Sequence, residues 1–315
     1  MPALRIGTRA SDLALWQAQH VAARLSALEP GRAIDLVPIT TTGDELADAP
    51  LERMEGTGFF TSTIEARLLA GEIDLAVHSY KDLPVVATAG LAVGAVLERA
   101  PVEDVLCARE GWTLERLPRG ARVGTSSPRR SAQLKGLRPD LDFRPLRGNL
   151  PTRLARVERG ELEAIVLARA GLVRLGLEGR ISEIFPVERV LPAPAQGALA
   201  VQVRACDRVA AAAVAPLDHE DTRRAVESER AVLHALRGGC SVPVGAHATI
   251  LENGRLAVDA GVFALSGERP LRLRREGDDP EPVGAEAARA LLAAGADQIL
   301  KALEREPRVA GQVER

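Results

Sequence analysis

Apolar positions follow two rhythms along this chain, and the switches between them outline its architecture. Leu4-Arg5-Ile6-Gly7-Thr8 reads as a short strand. Immediately after it, Leu13, Trp16, Gln17, Val21, Leu25 and Leu28 keep close to helical spacing, with Ser11 placed to cap that helix. Apolar runs at 34–41, 73–77, 91–97, 122–125, 164–167 and 199–203 predict further strands, alternating with helical stretches such as 60–70 and 151–159. The alternation predicts an α/β chain built from doubly wound sheets. After Asp218 the texture changes. A helix over 221–236, strands around the turn Asn253-Gly254 and an Ala-rich helix over 282–303 predict a separate small α+β domain.

The chain's 315 residues exceed what one hydrophobic core spans, so two or three domains are expected. Three cysteines are too few for a disulfide framework. The opening Met1-Pro2-Ala3-Leu4-Arg5 runs into a strand without the basic-then-apolar block of a signal peptide, which predicts a cytoplasmic protein. No run approaches the roughly eighteen apolar residues of a membrane span.

Charge sharpens the picture. The total is −2, yet residues 119–159 hold eleven basic residues against three acidic ones, a net of +8 that leaves −10 elsewhere. Such asymmetry marks a site for an anionic partner. Only Lys81, Lys135 and Lys301 are lysines, so arginine is the default cation here and position must decide which arginines matter. Val123-Gly124-Thr125-Ser126-Ser127-Pro128-Arg129-Arg130 is a strand ending in hydroxyl residues, with Ser127 suited to the cap and Pro128 to the first helical turn. Helix-start amides, hydroxyls and two guanidiniums would converge there on one anion. The run from Arg144 through Arg147, Gly148, Asn149 and Pro151 to Arg153 repeats the theme. In open α/β sheets ligands gather at the carboxyl ends of strands, where both segments fall. Capped helices with exposed arginines account for either segment alone. Together they point to carboxylate or phosphate binding as readily as to solvated side chains. As exposed side chains Arg129, Arg130 and Arg147 would add little stability, so leucine replacements are expected to leave the fold intact.

Two further runs carry chemistry. In Ala76-Val77-His78-Ser79-Tyr80-Lys81-Asp82-Leu83-Pro84 a buried strand breaks into a polar loop, and the Lys81-Asp82 pair suits an anion clamp plus general acid/base, or a solvated turn. His78 reads as a hydrogen-bonded strand-end residue. In Gly238-Gly239-Cys240-Ser241-Val242-Pro243 the glycines and proline present Cys240 on a loop, as a nucleophile or as an ordinary free thiol, whereas Cys107, at the end of a strand, reads as a small buried hydrophobe. No HExxH, spaced Cys/His cluster or complete GxGxxG exists, so metal and dinucleotide chemistry are not expected.

Taken together the motifs resemble the porphobilinogen deaminase, or hydroxymethylbilane synthase, family. The matching runs are Ile6-Gly7-Thr8-Arg9-Ala10-Ser11-Asp12-Leu13-Ala14-Leu15-Trp16-Gln17, Val77-His78-Ser79-Tyr80-Lys81-Asp82, Gly124-Thr125-Ser126-Ser127-Pro128-Arg129-Arg130, Leu146-Arg147-Gly148-Asn149, Pro194-Ala195-Gln196-Gly197-Ala198 and Gly239-Cys240, in the family's order. The resemblance implies two lobes like those of periplasmic-type binding proteins, 1–97 with 198–216 and 102–192, plus a third domain over 220–315. It implies a monomeric transferase that joins four porphobilinogen units head to tail with loss of ammonia and releases hydroxymethylbilane. It implies a dipyrromethane primer on Cys240 through a thioether, held by Ser79, Lys81, Thr125, Ser127, Arg129, Arg130, Arg147 and Gly148. Substrate would meet Arg9, Ser11, Phe60, Ser126, Arg147, Asn149, Arg153 and Gln196, with charge-assisted bonds of about 1.5–3 kcal/mol each. Asp82 would face the pyrrole nitrogens and stabilise the cationic azafulvene left when ammonia departs.

The chain departs from the family's pattern at Thr57, where a lysine is common, at Ser62-Thr63, and at Pro194-Ala195. The first two bear on how a lid over 42–58 closes. A two-lobed anion receptor would share the arginines but not need Cys240, and bare intact mass would favour it. A nucleic-acid binder would want the +8 segment, yet eight aromatics in 315 residues offer few stacking platforms, so no nucleic-acid partner and no membrane is expected.

Overall fold

The computed structural model describes residues 3–41, 61–237, 242–268 and 270–305. Its first lobe carries β1 (Leu4–Arg9), α1 (Asp12–Leu28), β2 (Ile34–Ile39), α2 (Ser62–Leu69), β3 (Leu75–Ser79) and β4 (Leu91–Val96). The second carries β5 (Asp104–Ala108), β6 (Arg122–Gly124), α3 (Pro128–Leu137), β7 (Asp142–Arg144), α4 (Leu150–Glu158), β8 (Ala164–Ala168), α5 (Arg169–Arg174) and β9 (Glu183–Ile184). The chain then returns to the first lobe as β10 (Leu199–Arg204) and α6 (Arg208–Val214). Sheet orders are β2-β1-β3-β10-β4 and β7-β6-β8-β5-β9. The two sheets share one plan: β10 lies antiparallel between β3 and β4 as β5 lies antiparallel between β8 and β9. These are the doubly wound α/β lobes expected from the alternation of strands and helices.

Mid-sheet strands are buried almost end to end, because helices cover both faces. In the first lobe Val21 and Leu25 of α1 pack with Ile6, Val77 and Val201 on one face, and Ile64 and Leu68 of α2 pack with Ile39 and Ala76 on the other. The strand expected over 34–41 stops at Ile39; Pro38 is tolerated because β2 is an edge. Ser11 occupies the extended position before α1 but its side chain makes no capping bond.

The third domain is α+β: α7 (Glu220–Ala235), an antiparallel sheet β11 (Val244–Ile250), β12 (Leu256–Val262) and β13 (Leu271–Gly277), then α8 (Pro280–Ala293) and α9 (Ala296–Arg305). The helix expected over 282–303 is therefore two, broken at Gly295 with φ of 103°. Apolar faces of α7 and α8 cover one side of the sheet, with Val232 and Leu291 among the fully buried contacts.

Two linkers join the lobes and run side by side, Leu97 N–H donating to Leu199 O (3.1 Å) and Ala100 N–H to Gly197 O (3.2 Å). Glu229 on α7, fully buried, accepts from both Arg99 Nη atoms (2.7 and 2.9 Å) and from the amides of Ala195 (2.6 Å) and Ala248 (2.7 Å). One carboxylate thus fastens the third domain to both linkers. Gly197 has φ of +89°, and a Cβ there would sit 2.4 Å from Ala100 O. Gly197→Ala should therefore lower unfolding free energy by upward of about 1–2 kcal/mol, the left-handed backbone term alone, with the clash added. Urea unfolding reads this out; a change below about 0.5 kcal/mol would show that the linkers do not need their close approach.

Candidate active site

The carboxyl ends of β1 and β3 in the first lobe and of β6, β7 and β8 in the second carry the residues singled out by sequence. At the end of β1 stand Arg9 and, before α1, Ser11. At the end of β3, Ser79 Oγ accepts from Gln17 Nε2 of α1 (2.8 Å), and the chain turns through a single 3-10 turn, Tyr80–Asp82. The turn buries Tyr80, half-buries Lys81 and exposes Asp82.

Lys81 Nζ donates to Gln196 Oε1 (3.2 Å), and Gln196 Nε2 donates onward to Val102 O (2.7 Å) and Asp104 Oδ1 (3.0 Å). Asp104, with no solvent exposure, also accepts from Arg129 Nη1 (2.6 Å) and from Arg130 Nε (2.9 Å) and Nη2 (2.7 Å). Arg129 Nη1 reaches Leu191 O and Arg130 Nη1 reaches Val166 O. A continuous polar chain therefore runs from the exposed turn of one lobe into the core of the other. It corrects the expectation that these two arginines are exposed: their side chains are only 4% and 9% accessible. Both are paired with Asp104, so leucine at either is expected to destabilise the fold rather than leave it intact. Asp104 itself was missed from sequence. Its signal was an acid heading the apolar strand Asp104-Val105-Leu106-Cys107, a place a carboxylate occupies only when cations come to meet it.

The hydroxyl loop splits in its roles. Ser127 Oγ accepts from Arg130 N (3.4 Å), the predicted cap, and Pro128 begins α3. Thr125 Oγ1 accepts from Ser127 N (3.2 Å). Ser126 Oγ both donates to Leu146 O and accepts from Leu146 N (2.8 Å each), so its proton is spent joining two loops rather than offered to substrate. Asn149 caps α4, accepting from Thr152 N (2.9 Å), and Arg153 Nε donates to the carbonyl of Gly148 (2.7 Å), whose φ is +92°. Arg147 is half-buried beside them. Phe60, Cys240 and the expected lid over 42–58 lie outside the described residues. Cys107 is buried, and desolvation pushes its thiol up to about 12, which suits an inert core residue.

Arg174, at the end of α5, is a second residue missed from sequence. It is buried, donates to Gly197 O (2.6 Å) and places its guanidinium 6.0 Å from the Trp16 ring centroid, bridging the lobes.

Electrostatics show a cleft short of anions. Desolvation pulls the Lys81 ammonium down to about 8; Arg130 acts the same way and Asp82 opposes it. Arg153 is lowered by desolvation and then by Arg130, with Asp82 opposing. Desolvation lowers Arg174 to about 10, again with Asp82 opposing. Asp82 is thus the shared negative neighbour of three partly desolvated cations, and added carboxylates would relieve all three. His78, fully desolvated, is pulled down to about 4, with Gln202 opposing, and stays neutral at ordinary pH. Among the described residues no cluster of His, Cys, Asp and Glu could hold a metal ion.

Residues 4–212 match the sequence profile of the porphobilinogen deaminase, dipyromethane cofactor binding domain, and residues 223–293 that of the porphobilinogen deaminase C-terminal domain. A porphobilinogen deaminase of Moorella thermoacetica is 48% identical over 95% of this chain and 96% of its own. That of Syntrophotalea carbinolica is 47% identical over 97% of each. Among solved structures, the periplasmic aliphatic sulphonate binding protein SsuA from Escherichia coli aligns over 75% of this chain and 71% of its own, at 16% identity and a TM-score of 0.37.

Burial alone would raise the Asp104 pKa, but Arg129 and Arg130 outweigh it and hold the carboxyl well below its ordinary value. Asp104→Asn leaves two guanidiniums buried without their counter-charge and should cost about 3–5 kcal/mol at neutral pH. Because the folded pKa is depressed, this stabilisation is present above the unfolded value of 3.8 and fades as pH falls through the range below it. Unfolding measured from pH 7 to 3 should show the gap between wild type and Asp104→Asn narrowing; a constant gap would mean that charge pairing is not what Asp104 contributes.

Proposed function

The chain belongs to the porphobilinogen deaminase family, and from that premise we propose how its own residues divide the work of joining four porphobilinogen units into hydroxymethylbilane. The protein is a transferase of tetrapyrrole biosynthesis, a hydroxymethylbilane synthase. The excess of cations around one exposed carboxylate, Asp82, carries the assignment.

The donor set fits a dipyrromethane. Each pyrrole brings two carboxylates, and Lys81, Arg147 and Arg153, with the hydroxyls of Thr125 and Ser127, stand where strand ends of both lobes meet. Lys81 and Arg153 are both lowered, first by desolvation and then by Arg130, with Asp82 opposing, so added carboxylates would be favoured there. When bound, the cofactor supplies the nucleophilic pyrrole to which units are added. We assign its thioether to Cys240, three positions beyond Arg237 and outside the described residues. We further take the domains as 1–97 with 198–216, 102–192 and 220–315, and the enzyme as a cytoplasmic monomer that binds porphobilinogen and no nucleic acid. No described helix is long and apolar enough to cross a membrane.

Lys81, Arg147 and Ser127 hold primer carboxylates in this scheme, with Ser79, Thr125, Arg130 and Gly148 shaping that side. Arg129 works from behind by fixing Asp104. Arg9, Ser11, Arg153, Asn149 and Phe60 receive the incoming unit, and Gln196 orients Lys81. Asp82 stabilises the cation left on the substrate as ammonia departs, holds the pyrrole N–H groups and accepts the proton lost when the new bond forms. Asp82 is exposed and is the shared negative neighbour of Lys81, Arg153 and Arg174, which suits a carboxylate to that task.

Intact mass of denatured protein should show an adduct of two pyrrole units, absent in Cys240→Ala, which should also be inactive; unmodified and fully active wild type would overturn the tether. On protein that carries its primer, Asp82→Glu keeps the charge and moves it by about 1 Å, for a loss of up to about 10²-fold. Asp82→Asn removes the charge and should lose more, on the order of 3–4 kcal/mol of barrier. Single-turnover rates should fall in the order wild type, Glu, Asn; equal rates for Glu and Asn would remove charge at Asp82 from the mechanism.

A further inference from the structure

We propose that Arg230, on α7 of the third domain, is a positioning residue that holds the Tyr80–Asp82 turn and so fixes where Asp82 stands. This inference rests on the assignment of Asp82 as the catalytic carboxylate. A single 3-10 turn is a weak support for a reacting group. It has one internal hydrogen bond, Leu83 N–H to Tyr80 O (3.2 Å), and its first amide is tied to Ala198 O (3.0 Å). The carbonyls that follow point away from the sheet and need donors from elsewhere.

The guanidinium of Arg230 supplies them. Nη1 donates to Tyr80 O (3.5 Å) and Leu83 O (3.3 Å), and Nη2 to Pro84 O (2.5 Å) and Val85 O (3.3 Å). The same group lies 4.6 Å from the centroid of the Tyr80 ring. Carbonyls from both sides of Asp82 and the ring at the start of its turn thus converge on one cation. The planar fork suits this task, since its donors diverge in fixed directions and its face stacks on an aromatic ring. Arg230 follows Glu229, whose carboxylate grips both interlobe linkers. Adjacent residues of one helix therefore fasten the hinge and the turn that carries Asp82.

Arg230 touches no substrate in this scheme, and its loss should act through the placement of Asp82. Arg230→Ala, with primer loading checked by intact mass, should lower kcat by about 10- to 100-fold, the scale of a displacement of about 1 Å, and leave KM within about twofold. Arg230→Lys keeps the cation over the ring but not the fork, so it should recover part of kcat; it also carries the test if Arg230→Ala does not fold. In an Asp82→Glu background, where the carboxylate is already displaced, removing Arg230 should cost clearly less than in wild type. An unchanged kcat, a loss expressed mainly in KM, or an equal fold-loss in both backgrounds would overturn the proposal. Asp82→Asn, measured alongside, separates the two failures. If it turns over like wild type, the assignment of Asp82 fails; if it is crippled while Arg230→Ala and Arg230→Lys are not, only the role of Arg230 does.

Discussion

A carboxylate sealed from solvent, Asp104, sets the terms for the second lobe. Moving such a charge into the interior costs several kcal/mol after relaxation, and only close, well-directed cations and donors offset it. Asp104 heads β5, an antiparallel strand in the interior of its sheet between β8 and β9, and has no solvent exposure. The offset must come to it. Arg129 and Arg130 bring it from the first turn of α3, which fixes that helix against the sheet, and Gln196 brings a donor from the returning linker. Because Gln196 also accepts from Lys81, the interior of one lobe constrains a cation at the mouth of the other. Replacing the whole cluster with well-packed apolar residues could leave the protein as stable, but it would cut this connection between the lobes.

The third domain imposes a comparable constraint at the hinge. Glu229 satisfies two amides and one guanidinium, drawn from the outgoing linker, the returning linker and β11. Lobes that are joined by two strands of chain can swing about them. Here the swing has a fixed pivot, since Ala195 and Arg99 share one buried acceptor. Arg174 adds a contact that a swing would strain, because its guanidinium touches the Gly197 carbonyl and the face of Trp16 on the opposite lobe.

Much of this was legible in the chain. The switch between strand and helix rhythms marks both lobes, and Ser127-Pro128 and Asn149-Leu150-Pro151 mark helix starts at which side chains do cap. What stayed hidden is the ownership of charges. Arg129, Arg130, Arg147 and Arg153 look alike along the sequence, and nothing local says that the first two are consumed by an acid 25 and 26 positions upstream while the latter two flank the cleft. Ser126 and Ser127 are equally indistinguishable until Leu146 is brought alongside Ser126. Arg174 and Arg230 carry no motif at all; their roles exist only once α5 faces Trp16 and α7 faces Tyr80. The long C-terminal helix was overextended because alanine favours helix on both sides of Gly295, and one glycine in such a run is weak punctuation until its positive φ is seen.

Buried and exposed arginines do opposite electrostatic jobs. Those paired with Asp104 have their charge answered inside the protein, so they offer little field to a ligand and much rigidity to the frame. Lys81, Arg153 and Arg174 lose hydration without gaining a full partner, which is why all three are lowered. Their attraction for carboxylates is stored as incomplete neutralisation. A growing chain that adds two carboxylates per unit would spend that store, while Asp82 has a different requirement, to remain open to a cation on the substrate. An exposed turn braced from behind by Arg230 meets that need, because a buried acid in direct contact with a guanidinium already has its charge answered within the protein, as Asp104 does.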